Sequence, residues 1–130
     1  MIDTFSNFFS GIQNGFRAKK NFVDIPKSRK LKKLIFFFIK EGYFFGVEET
    51  INEKNFPIFR IFLKYDGRKP VISGLFRISK VSRVIQIQKS SLLRIYKPSV
   101  LLVLSTTKGY LSGAQALKYN LGGELLCIVY

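Results

Sequence analysis

The hydrophobic period changes once along this chain, and that change limits the folds open to it. Up to about residue 40 the apolar residues recur at helical spacing; beyond it they alternate. Phe5, Phe8, Phe9 and Ile12 fall on one face of a helix over 4–14, with Asp3 or Thr4 to cap it and Asn14-Gly15 to end it. Residues 16–26 read as a basic loop holding a short strand at 22–25. Pro26 and Ser28 introduce a second helix running to Lys40, and Gly42 supplies a left-handed stop. After it, strands are expected at 43–49, at 56–65 with Pro57 near its start, and at 71–78 beyond an Asp66-Gly67 turn. Further strands are expected at 83–87, 100–105 and 124–130, with a short helix over 113–119 capped by Ser112. The class is therefore α+β. An N-terminal α/β lobe, residues 1–76, has two helices and a small sheet. A C-terminal, mostly β lobe, residues 77–130, has one short helix.

Charge narrows the function. The chain has 130 residues, 22 Lys plus Arg, 8 Asp plus Glu and a formal net charge of +14. Residues 17–40 hold nine basic residues and one acid, and residues 67–123 hold ten basic residues and no acid. Glu41, Glu48, Glu49 and Glu53 cluster between these zones and read as a solvated turn. Two basic zones around a mildly acidic segment point to a polyanionic partner. The absence of His removes imidazole catalysis and His metal sites. A single Cys, Cys127, excludes an internal disulfide and a Cys-cluster zinc site, and its apolar setting marks it as core. No loop has phosphate-cradle spacing. No catalytic residue, metal ligand, cofactor or small-molecule substrate is expected.

Residues 1–5 have no secretory-signal pattern, and no unbroken apolar run exceeds six residues, so no membrane span is expected. The Lys/Phe-rich segment 29–40 allows an alternative, a basic peripheral membrane or protein-interaction module. Its apolar residues nearly encircle the helix, which fits a buried helix better.

Three segments carry candidate recognition chemistry. Ser105-Thr106-Thr107-Lys108-Gly109 follows an apolar strand. Hydroxyls there can reach ribose 2′-OH groups in a shallow RNA minor groove, and Lys108 can meet a phosphate. An ordinary hydroxyl-rich turn fits the same residues. Leu121-Gly122-Gly123-Glu124 allows unusual dihedrals and exposes backbone N–H groups, but taken alone it fits a plain loop better. Arg77-Ile78-Ser79-Lys80, continuing to Arg83, alternates basic and hydroxyl residues with apolar ones. A solvated strand face would show the same pattern, but the absence of acids favours a nucleic-acid face.

These segments, in this order, resemble the closing signature of small-subunit ribosomal protein S8 of the bacterial and organellar type. The resemblance takes in Ser105 to Gly109, then Leu121 to Tyr130, with Arg77-Ile78-Ser79-Lys80 upstream. Ile12-Gln13-Asn14-Gly15, Pro26-x-Ser28 and Glu41-Gly42-Tyr43 resemble the family's earlier blocks, so the likeness spans essentially the whole chain. It implies a non-catalytic protein of the small ribosomal subunit that binds a stem in the central domain of the subunit RNA and contacts neighbouring ribosomal proteins. By position, Ser105, Thr106 and Thr107 would enter the minor groove, with Lys108 and Gly109 supporting the loop. Gly122, Gly123 and Glu124 would shape the adjoining surface, and Asn14, Ser28, Arg29 and Lys30 would lie on the N-terminal lobe's RNA side.

The chain departs from the family pattern at Val81-Ser82, where Pro-Gly is usual, and at Gln86, where Tyr is usual. It departs again at Asn7, Gln13 and Gly113. Heavy use of Phe, Ile, Lys, Asn and Tyr points to an AT-rich genome. With no presequence, that composition predicts a protein made inside a mitochondrion, although a plastid or a bacterial cytoplasm would also account for it.

Overall fold

The computed structural model describes residues 4–80 and 83–130, which form two compact units, Met1–Ile72 and Ser73–Tyr130. The sequence reading sets the boundary at 76/77. In the structure the Ser73 and Gly74 amides already donate to the Tyr130 carbonyl, at 2.7 and 3.0 Å. Asp3, Val81 and Ser82 lie outside the described residues.

In the first unit, helix α1 (Thr4–Arg17) buries Phe8, Phe9, Ile12, Gly15 and Phe16. It runs three residues beyond its expected end, because Asn14-Gly15 does not stop it. Gly15 is where the helix meets strand β1 (Phe22–Pro26), and a Cβ there would collide with the Val23 side chain. The glycine thus serves packing, and Lys19 makes the stop, with φ of 54°. The Lys20 amide returns to the Gly15 carbonyl at 2.9 Å and the Lys19 amide to Phe16 at 3.2 Å, a Schellman closure. Helix α2 (Arg29–Lys40) ends the same way at Gly42, with φ of 87°. Its apolar residues do not encircle it: Leu31, Leu34, Ile35, Phe37 and Phe38 are buried, while the cations and Phe36 face outward. It is an amphipathic surface helix.

Strands β2 (Phe44–Ile51) and β3 (Pro57–Leu63) complete an antiparallel sheet of order β1-β3-β2. Val23, Ile25, Phe59 and Ile61 face the helices, where rings of Phe8, Phe9, Phe38 and Phe44 pack with centroids 5.2–6.2 Å apart. Glu48 and Glu49 do not lie at a turn. They sit within β2, opposite Arg60 and Phe59, and only Glu53 occupies the 52–56 turn. A two-residue hairpin, β4 (Tyr65–Asp66) and β5 (Lys69–Pro70), closes around Gly67-Arg68.

The second unit is built on strands β6 (Leu75–Arg77), β7 (Gln86–Ile87), β8 (Leu101–Thr106), β9 (Gly109–Ser112) and β10 (Gly123–Val129). The sheet order is β6-β10-β8-β9, with β7 on the start of β10. The strand expected over 71–78 shortens to β6. Among the described residues two helices lie here, not one: α3 (Lys89–Ile95) and α4 (Gly113–Lys118). Seven residues with one buried side chain, Leu92, give α3 no readable period. Ser112 caps α4 as expected. Its hydroxyl accepts from the Gln115 amide at 3.2 Å, and the Gln115 side chain accepts from the Ser112 amide at 3.2 Å. Leu92, Leu102, Leu104, Leu111, Ala116 and Leu125 form the core between these helices and the sheet.

Candidate nucleic-acid interface

Strands β8 and β9 pair up to Thr106 opposite Gly109, which leaves Thr107 and Lys108 as a two-residue tip. Both tip residues are exposed. The turn is locked from within: the Thr106 hydroxyl donates to the Gly109 carbonyl at 2.8 Å and accepts from the Lys108 amide at 3.1 Å. Gly109 closes it with φ of 95°, a conformation that strains any residue bearing a Cβ. The five-residue motif therefore divides its labour. Thr106 and Gly109 hold the shape, and Thr107 and Lys108 are presented. The Lys108 ammonium lies 4.6 Å from the centre of the Tyr119 ring, so a cation and an aromatic face stand together at the tip.

The Gly122-Gly123 pair sets what lies beside this hairpin. A Cβ on Gly122 would strike the Ile87 carbonyl, and one on Gly123 would stand 2.5 Å from the Ser105 carbonyl oxygen. The start of β10 is thus wedged between β7 and the end of β8. The pairing Gln86–Glu124–Ser105–Tyr110 then runs across four strands. Directly paired residues share a sheet face, so these four form one polar row leading to the hairpin tip. Burial, and then the neighbouring Glu124 carboxylate, push the Tyr110 phenol up, so it remains a neutral donor at physiological pH. Gln86, Tyr110 and Tyr119 were not among the expected site residues. Their place depends on strand register, which alternation of residue types does not specify.

The upstream block separates into buried and exposed parts. Ser79 is 3% exposed and is not on the polar row; its hydroxyl donates to the Leu125 carbonyl at 2.6 Å and accepts from the Ile85 amide at 3.0 Å. Leu125 borders the bulge in β10, so this serine anchors the strand where its register shifts. Arg77 donates through Nε to the Ser79 carbonyl at 2.8 Å. Lys80 and Arg83 are exposed and exchange backbone hydrogen bonds of 2.8 and 3.0 Å as an isolated antiparallel bridge, which sets the two basic residues opposite each other.

In the first unit, Asn14 is exposed on α1 and lines a shallow basin with Lys19, Lys20 and Asn21. Ser28 stands at the start of α2 with an extended backbone, but its side chain makes no capping bond. Arg29 and Lys30 are exposed in the first helical turn, which has no acid. Cations at that end oppose the helix dipole, an arrangement that a bound anion relieves. Lys27 and Lys32 reach Glu49 at 3.8 and 3.5 Å, and Arg60 pairs with Asp24 at 3.0 Å. Among the described residues, no group of His, Cys, Asp and Glu is arranged to hold a metal, and no helix is long and apolar enough to cross a membrane.

The chain is similar to proteins named small ribosomal subunit protein uS8. That of Protochlamydia amoebophila is 33% identical over 129 residues, covering 98% of this chain and 97% of the relative. That of Dehalococcoides mccartyi is 36% identical over 129 residues, covering 98% of each. That of Chlamydia trachomatis serovar D is 35% identical over 131 residues, covering 98% and 96%. The family described as Ribosomal protein S8 matches residues 3–130, and the resemblance read from the hydroxyl loop and the glycine pair thus extends through both units: the chain belongs to the ribosomal protein S8 family.

Proposed function

We propose that the protein is a structural component of the small ribosomal subunit that binds a helical stem in the central domain of the subunit RNA and supports assembly and translation. The observation that carries this reading is the β8–β9 hairpin, whose internally locked turn presents Thr107 and Lys108 at the end of a polar row. A preformed tip meets a shallow RNA minor groove without the entropic cost of ordering a loop. Family membership supports a structural rather than an enzymatic role. The basic zones supply the sequence-independent share of affinity by displacing counterions from phosphates. Neighbouring small-subunit proteins complete the set of partners. The membrane alternative is disfavoured, because the apolar side of α2 is buried within its own unit and only Phe36 remains exposed among its large apolar residues.

The relatives are bacterial, so the ribosome concerned is of the bacterial type. Within that type, the AT-rich composition favours a mitochondrial ribosome served by the organelle's own gene. A gene on a nuclear chromosome behind a leader sequence overturns that part.

Filter binding with the central-domain stem tests the RNA assignment. Replacing Thr106 and Thr107 together by Val is expected to weaken stem binding at least about tenfold, about 1.4 kcal/mol, while salt-sensitive binding to unrelated RNA persists. Thr106→Ser keeps both hydrogen bonds of the turn and is expected to bind nearly as the parent does. Unchanged stem affinity in the double variant rejects the hairpin as the recognition element.

A further inference from the structure

Strand β2 is an edge. Among the described residues it pairs only with β3, so the main-chain groups along its other side meet no strand. Natural edges are commonly blunted with lysine, proline or a bulge. The sequence of β2, Phe44 to Ile51, contains neither Lys nor Pro, and its register irregularity lies at its start, between Phe44 and Gly46, leaving regular pairing from Gly46 to Ile51. Its exposed side chains are instead apolar and acidic. Phe45 is 79% exposed and Ile51 63%, and Glu48 and Glu49 point to opposite faces of the sheet. Beside this edge, between β2 and α2, lies a groove of about 300 Å³ lined by Lys32, Ile35, Phe36, Val47, Glu49 and Phe59. Val47, Glu49 and Ile51 are two residues apart along the strand and share the groove side.

We propose that the β2 edge is a docking site for an extended segment of a neighbouring ribosomal protein, added as a fourth strand. This rests on the ribosomal reading above. The occupant is identified by charge and periodicity. Glu48, Glu49 and Glu53 make this the acidic part of a protein with a net charge of +14, so an RNA backbone is repelled where a basic peptide is attracted. Main-chain bonds to the free edge give affinity, and alternate side chains give specificity. On the groove side the pattern apolar–x–basic–x–apolar fits, with apolar residues against Val47 and Ile51 and a Lys or Arg opposite Glu49. The pairs that Lys27 and Lys32 make with Glu49 are exposed, and a cation on the incoming strand displaces them at small cost.

The test uses the full chain assembled into small subunits, with a photo-crosslinking benzoylphenylalanine at Phe45 or at Ile51. Mass spectrometry is expected to map the adduct to an extended Lys/Arg-containing segment of one ribosomal protein. Val47→Lys and Glu49→Lys, each combined with the probe, are expected to lower the yield at least about fivefold while binding to the RNA stem is unchanged. Adducts to RNA, adducts to a second copy of this chain, or yields insensitive to both substitutions overturn the proposal. Failure of the chain to enter small subunits at all instead counts against the ribosomal reading.

Discussion

A single Cβ at position 123 would stand 2.5 Å from the Ser105 carbonyl oxygen and 2.9 Å from the Thr106 Cγ2. Neither the Ser105 main chain nor the paired strand can move without disturbing the turn that Thr106 holds. Gly123→Ala is therefore expected to weaken binding to the RNA stem at least about tenfold and to lower the stability of the second unit. Ser79→Ala should behave differently. It leaves the Leu125 carbonyl and the Ile85 amide without the serine, at a cost of about 1–3 kcal/mol, but removes nothing from the surface. The buried thiol of Cys127 measures both variants. Burial pushes its pKa well above the usual thiol range, so it resists alkylation until the unit opens. Faster alkylation is expected in both, while affinity measured on the folded fraction falls only for Gly123→Ala. Equal loss of affinity in the two would make Ser79 part of the contact surface.

At the scale of elements, the hairpin tip depends on one backbone conformation. Gly109→Ala forces a Cβ into φ of 95°, which costs about 1–2 kcal/mol and reshapes the turn that aims Thr107 and Lys108. Stem affinity should fall while α4, capped independently by Ser112, retains its helicity. Circular dichroism together with filter binding checks this, and unchanged stem affinity counts against a preformed tip. How much of this was legible in the sequence differs from element to element. Long periodic segments announced themselves: α2 and Gly42 stand where hydrophobic spacing and a glycine stop put them. The α1 terminus did not, because a glycine can signal either a stop or a close approach, and only the position of Val23 decides between them. Strand β9 and helix α3 were hidden for another reason. Four and seven residues are too few for a period to emerge, and both exist because Leu111 and Leu92 reach a core formed by distant residues. The hydroxyl loop and the glycine pair were readable as a motif. The polar row was not, since Gln86, Glu124, Ser105 and Tyr110 meet only through strand register.

For the molecule as a whole, the proposed function gives the net charge of +14 two different purposes, and salt separates them. Binding that rests on phosphate neutralisation releases counterions, so the logarithm of affinity falls linearly with the logarithm of salt concentration, by nearly one unit of slope per phosphate contact. Lys80 and Arg83 are exposed and paired only through their main chains, and nothing about that geometry fixes a sequence-reading contact. Lys80→Ala is accordingly expected to lower affinity for all RNAs alike and to reduce the slope by up to about one unit. Lys108 differs because its ammonium is held over the Tyr119 ring at the hairpin tip. Lys108→Ala should cut the preference for the stem over unrelated RNA as well as the slope, whereas Tyr119→Leu should cut the preference and leave the slope intact. Binding isotherms for stem and control RNA, taken at several potassium chloride concentrations, resolve the three cases. If Lys108→Ala proves indistinguishable from Lys80→Ala, the charge at the hairpin is part of the general field. Specificity would then rest on the hydroxyls and on the shape that Gly109 and Gly123 permit.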